Sequence, residues 1–238
     1  MAIGFFHDEN IGLPHPPVPL AVYLILEEAV RVAWQRLRSQ SPSRIDIGTA
    51  TEDAITHELY EILFDEVYNA GLVDGFDKER FTVVMRESKL RNYDGTKLDK
   101  MPDLLVGIAA RESVCRRSQD WIFIECKPID SGHSPAAHYG SKGIERFLCG
   151  EYAWAMVDAL MIGYSSAGYA LIPKLVDMLR DRAKDFEVLE HPSVCSRSIP
   201  SPISLAVHRT FHRRRFNYVE NGQPAPPIRL RHLWLNRN

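Results

Sequence analysis

Two short stretches decide the fold of this chain: Pro102-Asp-Leu-Leu-Val-Gly-Ile108 and Trp121-Ile-Phe-Ile-Glu-Cys-Lys-Pro128. Each is an apolar, β-branched and aromatic run of the length that strands favour. Each carries acid at one end, Asp103 opening the first and Glu125 closing the second. Side chains alternate along a strand, so Glu125 and Lys127 project from one face while Ile122, Ile124 and Cys126 line the other. If the two strands are neighbours, Asp103 reaches the same spot as Glu125.

Outward from these strands the pattern alternates between helix and strand. Four prolines (Pro14, Pro16, Pro17, Pro19) make an irregular lead-in to a helix over Leu20–Arg38, and Ser39–Ser43 reads as a linker. A second helix is predicted from about Ala50 to Asn69, with Thr49-Ala-Thr-Glu52 matching a capping box. Phe81–Met85 reads as a strand and Asn92-Tyr-Asp-Gly95 as a turn. After Pro128 a Ser/Gly/Pro/His stretch, Asp130–Ser141, leads to a helix predicted over Ile144–Ile162. A short strand at Gly168–Ile172, a helix over Leu175–Phe186 and strands over Ile203–Phe211 and Ile228–Leu235 complete the reading. The order predicts an α/β fold with a mixed sheet flanked by helices. It divides into an amino-terminal helical extension, residues 1–44, and a main domain, residues 45–238, with a basic carboxy-terminal segment.

Composition narrows the class. With 238 residues, 29 Lys+Arg, 31 Asp+Glu and 45% hydrophobic residues, the chain lies in the globular range. The most apolar short run, Leu20–Leu26, is followed at once by Glu27, Glu28 and Arg31, far short of the ~20 residues needed to span a bilayer. Met1–Asn10 does not read as a secretory signal. Cys115, Cys126, Cys149 and Cys195 have no paired spacing, which argues against a zinc ribbon or a disulfide framework and for a reducing cytoplasm. Residues 193–238 carry eight arginines and one acid, Glu220, a net of +7 against −9 for residues 1–192. Such asymmetry fits a polyanion partner, and equally a basic segment docked on an acidic body.

Asp103 and Glu125 are hard oxygen ligands of the kind Mg²⁺ takes, usually one or two carboxylates with waters and phosphate oxygens. Lys127 is placed to orient or deprotonate an attacking water and to stabilise phosphate charge. The alternative is a surface pair flanking a strand end, but charge beside so apolar a strand is costly without a use. Glu87-Ser88-Lys89 repeats the acid-x-Lys spacing, yet no acid-tipped strand precedes it.

Pro102-Asp103 with Glu125-Cys126-Lys127 resembles the PD-(D/E)xK nuclease superfamily, the restriction-endonuclease-like fold, and the element order extends the resemblance over roughly residues 45–175. The resemblance implies metal-dependent cleavage of nucleic acid, DNA being the expected substrate, with Mg²⁺ or Mn²⁺ as cofactor. It also implies a glutamate on the helix before the first strand. At 100° per residue Glu52 falls at the centre of the Ile55/Leu59/Ile62/Leu63 face and Glu58 on its flank, which favours Glu52. Glu58 is the reserve, Glu66 also lies on the inner face, and a purely capping Glu52 is the competing reading. The expected site is therefore Glu52, Asp103, Glu125 and Lys127, the first three as metal ligands.

Glu151 and Asp158 share one face of the predicted Ile144–Ile162 helix, as supports of the metal or, more simply, as partners of basic residues. Lys142 and Arg146 near its start could meet phosphate. His208, Arg209, His212 and Arg213-Arg214-Arg215, interleaved with Phe211 and Phe216, form the densest basic cluster, and Arg213, Arg214 and Arg215 are expected nucleic-acid contacts. Cutting both strands of a duplex would call for a homodimer. The rivals are a non-cleaving nucleic-acid-binding module on the same fold and a small-molecule phosphatase.

Overall fold

The computed structural model describes residues 12–40, 44–109, 111, 114–196 and 206–238. Seven strands form one mixed sheet in the order β1-β2-β3-β4-β7-β6-β5. They are β1 (Phe81–Arg86), β2 (Leu104–Ile108), β3 (Trp121–Ile129), β4 (Asp158–Ser165), β5 (Val188–Ser196), β6 (Val207–His212) and β7 (Ile228–Asn236). The first three pair antiparallel, β3-β4 and β4-β7 are parallel, and β7-β6 and β6-β5 are antiparallel again. Parallel neighbours need a crossover. Between β3 and β4 it is the π-helical segment π2 (Pro135–Ile144), which runs into α3 (Glu145–Leu148).

The central strands are buried on both faces, which is why β4 reads as a nearly unbroken apolar run. On one face lie α1 (Leu20–Ser39) and α2 (Glu52–Glu61), the latter continued by the π-helical π1 (Ile62–Tyr68). Helix α1 buries Tyr23, Leu26, Val30, Trp34 and Leu37 at helical spacing. Trp34 stacks on Tyr164 of β4, with ring centroids 5.8 Å apart. Its Glu27 forms a buried ion pair with Arg231 of β7. The amino-terminal helix is thus part of the core rather than an appendage to it. The opposite face is covered by π2, whose Gly143 allows close approach: a Cβ there would lie 2.7 Å from Met161 Cε.

Several expected elements shift. The helix predicted over Ile144–Ile162 ends at Leu148; Gly150 (φ +67°) turns the chain, and Asp158–Ser165 is β4. The predicted Gly168–Ile172 strand is absent, Leu171–Asp181 being α4, and β5 was not anticipated. Strand β3 continues past Pro128 to Ile129, and Pro135 begins a helix already inside the Ser/Gly/Pro/His stretch, ahead of the predicted start at Ile144. The predicted strand at Ile203–Phe211 corresponds to β6 from Val207; Ile203–Leu205 and Met1–Asn10 lie outside the described residues. No helix among the described residues is long and apolar enough to cross a membrane.

Candidate active site

The register Leu104↔Ile124 brings Asp103, just before β2, across from Glu125 of β3. The backbone N–H of Cys126 donates to Asp103 Oδ2 at 2.6 Å and fixes that carboxylate beside the strand. Glu125 and Lys127 project from the face covered by π2, where the Cβ position of Gly143 is 3.4 Å from Lys127 Cγ and 3.8 Å from Glu125 Cγ. Glu52 comes from the helix on the opposite face. It opens α2, where an acid is favoured by the helix dipole.

Three carboxylates converge on one ammonium. Lys127 Nζ lies 2.8 Å from Glu52 Oε1, 2.8 Å from Glu125 Oε1 and 3.4 Å from Asp103 Oδ2. It also donates to the Cys126 carbonyl at 2.5 Å. Lys127 is almost wholly buried and Glu125 wholly so, whereas Glu52 and Asp103 are partly open. The Lys127 side chain is therefore no removable strand-end group. Without it Glu125 would keep an underpaired charge out of water.

Glu125 has further partners that the sequence did not disclose. Tyr152 donates a hydrogen bond to its Oε2, and Arg146 Nη1 lies 3.3 Å from its Oε1 and donates to the Tyr152 hydroxyl at 3.0 Å. Burial and the neighbouring Asp103 raise the Glu125 carboxyl to about 7, against the pull of Lys127 and Arg146. Burial also raises Glu52, which Lys127 partly offsets. For Lys127 burial acts downward, but Glu125, Asp103 and Glu52 outweigh it and hold the ammonium above its ordinary value.

The other glutamates are engaged elsewhere. Glu58 pairs with Arg44 at 3.4 Å and Glu66 with Arg36 at 2.7 Å. The cap of α2 is Thr51, whose hydroxyl accepts from Ala54 N, so Thr49 and Glu52 form no capping box. Glu87 pairs with its neighbour Arg86. Glu151 bonds Lys100 at 2.8 Å, and Asp158 forms an ion pair with Arg229. The two acids expected on one helix face thus serve as partners of basic groups, from a turn and from a strand.

The arginine cluster does not form one surface. Arg214 is buried, donating to the carbonyls of Pro226, Ala153 and Trp154 and to the Tyr218 hydroxyl. Arg215 grips Glu145 through both terminal nitrogens. Arg213 is exposed, 3.8 Å from Glu187. Backbone alternation at the end of β6 separates the three, and Arg214 has no face left for a phosphate. His212 is likewise buried.

A cleft of about 430 Å³ opens beside the cluster, lined by Glu52, Lys127, Pro128, His133, His138, Lys142, Arg146 and Arg237 among others. Arg237 was not singled out from sequence. It fixes the loop before α2 by donating to the carbonyls of Ile47, Gly48 and Ala50 at 2.8–2.9 Å. The carboxylate oxygens suit a hard divalent cation, and buried Glu125 Oε1 faces Lys127 Nζ at 2.8 Å and Arg146 Nη1 at 3.3 Å. Two such carboxylates match an ion that keeps several waters. Among the described residues no group of three His, Cys, Asp or Glu side chains is placed to hold a metal, and the Lys127 ammonium stands between the acids instead. No protein-family model matches this chain, and comparison with curated proteins and with solved structures yields no match.

Proposed function

We propose that this chain is a metal-dependent nuclease of the PD-(D/E)xK type, an endonuclease hydrolysing phosphodiester bonds in DNA. The observation that carries the reading is the convergence of Glu52, Asp103 and Glu125, from three separate elements, on Lys127 Nζ beside an open cleft. The order helix, three antiparallel strands, crossover helix, parallel strand supports the restriction-endonuclease-like assignment.

A Mg²⁺ or Mn²⁺ ion held by Asp103 and Glu125, with Glu52 completing the site directly or through water, would supply Lewis acidity and a more acidic water. The chain's own groups do the rest. Lys127, held as an ammonium by its carboxylate neighbours, orients the nucleophile and stabilises charge on the scissile phosphate rather than acting as a base. Arg146 and Tyr152 fix the Glu125 carboxylate. Nicking of a supercoiled plasmid with Mg²⁺, abolished by EDTA and by Asp103→Asn, is the expected result.

A second reading, a nucleic-acid-binding module that does not cleave, is favoured by one observation: Lys127 and Arg146 already pair with the acids and stand between them. Retained DNA binding with no nicking in either Mg²⁺ or Mn²⁺ would select it.

A further inference from the structure

We infer that His133, His138 and Lys142 form a phosphate-binding subsite in the cleft wall, which holds one phosphate group of the substrate beside the Lys127 cluster. Of the permanent cations lining the cleft, three are already committed. Lys127 faces three carboxylates, Arg146 is paired with Glu125, and Arg237 holds backbone carbonyls with Asp130 3.5 Å away. Lys142 is exposed and has no partner among the described residues. It lies on π2 four residues after His138 and four before Arg146, and all three line the same cleft.

The two histidines add fixed ring nitrogens. Asp130 Oδ1 bonds His133 Nδ1 at 2.8 Å, and since a carboxylate only accepts, Nδ1 carries a proton; Nε2 then meets a P–OH group as an acceptor, or a phosphate oxygen as the donor of an imidazolium. Asp130 is itself held in a turn by the backbone N–H groups of Gly132 and His133, so the ring's orientation is set by backbone. His138 packs edge-on against His133, with centroids 4.8 Å apart, and its Nδ1 is buried without a hydrogen-bond partner. Burial and then the positive charge of Lys142 depress its basicity, so His138 brings an N–H donor rather than a second charge to the wall. One free ammonium and two oriented imidazoles around a small cleft suit the oxygens of a single phosphate, where charge-assisted hydrogen bonds are strongest. The opposing acid in the lining, Glu52, is already paired with Lys127 and so repels such an anion little.

The phosphate's place in a nucleic acid rests on the nuclease reading; the binding of phosphate does not. The test uses the full chain without divalent metal, titrated with inorganic phosphate while the side-chain nitrogens of the histidines are followed by NMR. Signals of His133 and His138 should move together, while those of buried His212 and His232 stay still. Lys142→Gln and His138→Gln, both at positions that are not buried, should each weaken binding about tenfold, the loss of one good contact. Unmoved His133 and His138 signals, or shifts that both variants leave unchanged, would overturn the subsite even if plasmid is nicked normally. Phosphate binding with no nicking would instead retain the subsite and overturn the nuclease reading. Short single strands with a 5′-phosphate or a 5′-hydroxyl then tell the source. Tighter binding of the phosphorylated strand assigns the subsite to a strand end, and equal binding to an internal phosphodiester.

Discussion

Two buried polar clusters lie on one face of the sheet under the same π-helical segment, one beneath Gly143 and the other beneath Tyr139. They are built on opposite lines. Under Tyr139 runs a neutral chain: the Tyr139 hydroxyl to His232 Nδ1 at 2.9 Å, His232 Nε2 to Thr210 Oγ1 at 2.7 Å, Thr210 Oγ1 to His212 Nε2 at 2.7 Å, and His212 Nδ1 to the Phe186 carbonyl at 2.6 Å. The terminal carbonyl only accepts, which fixes every proton in the chain. Under Gly143 the groups are charged, and three acids surround the central lysine. A satisfied neutral network stabilises the fold, whereas the charged cluster, with its surplus of acids beside a cleft, is where the proposed function puts the chemistry.

The largest effect separating the two clusters is expected for Lys127→Ala. It should lower nicking by about a hundredfold or more, as loss of a group stabilising transition-state charge does. It should also cost roughly 3–5 kcal/mol of stability at neutral pH, because a buried carboxylate loses its main partner. Acidification should recover part of that loss as Glu125 takes up a proton. A variant that nicks at more than a tenth of the wild-type rate would remove Lys127 from the mechanism.

The neutral cluster should behave in the reverse way. Thr210→Val keeps the shape but leaves His212 Nε2 and the His232 N–H unpaired, at a cost of about 2–4 kcal/mol. Nicking below the melting transition should be unchanged. If Thr210→Val abolishes nicking without loss of stability, the two clusters are one functional unit and the contrast fails.

Titration sharpens the comparison, since the two clusters bias stability in opposite directions. Burial pushes His212 down to about 4, and burial with His212 and His208 pushes His232 well below its ordinary value. The unfolded chain therefore binds more protons there, and this contribution grows as pH rises from about 4 to 6.5. Glu125, raised from 4.5 to about 7, is protonated in the folded state first, so its contribution is full below 4.5 and is lost as pH rises through about 7. The contributions of His212 and of Glu125 are each on the order of 3 kcal/mol. Urea unfolding of Glu125→Gln across this range should rise with pH more steeply than wild type. An unaltered slope would mean that Glu125 is not protonated where its surroundings place it.

The smallest change in stability belongs to the glutamates of α2. Glu52→Gln should abolish nicking and shrink any Mg²⁺-dependent rise in melting temperature, because that rise needs a site present only in the folded chain. Glu58→Gln, which touches only the surface pair with Arg44, should change stability by no more than about 0.5 kcal/mol and leave nicking intact. The reverse outcome would transfer the helix glutamate to the flank position.

What the sequence determined by itself was local or strictly periodic. The runs around Asp103 and Glu125 are β-rich over their whole length, strand alternation puts Glu125 and Lys127 on one face, and the helical period turns Glu52 inward. Those three inferences depend only on backbone geometry, and the acids and the lysine do meet. Tertiary structure decided everything that required knowing a neighbour. The apolar run Asp158–Ser165 suits a buried helix or a buried strand equally well; pairing with β3 and β7 makes it β4. That choice cut short the predicted helix and sent Glu151 and Asp158 to separate basic partners. The Arg213-Arg214-Arg215 run has the composition of a phosphate-binding surface, yet the chain's path buries the middle residue among carbonyls that no spacing rule could name. Arg146, Tyr152 and Arg237 gained their roles in the same way. Each acts on a group at least 21 residues away in sequence (Glu125 for Arg146), and contact over such a separation is set by packing of the sheet and its helices rather than by local pattern.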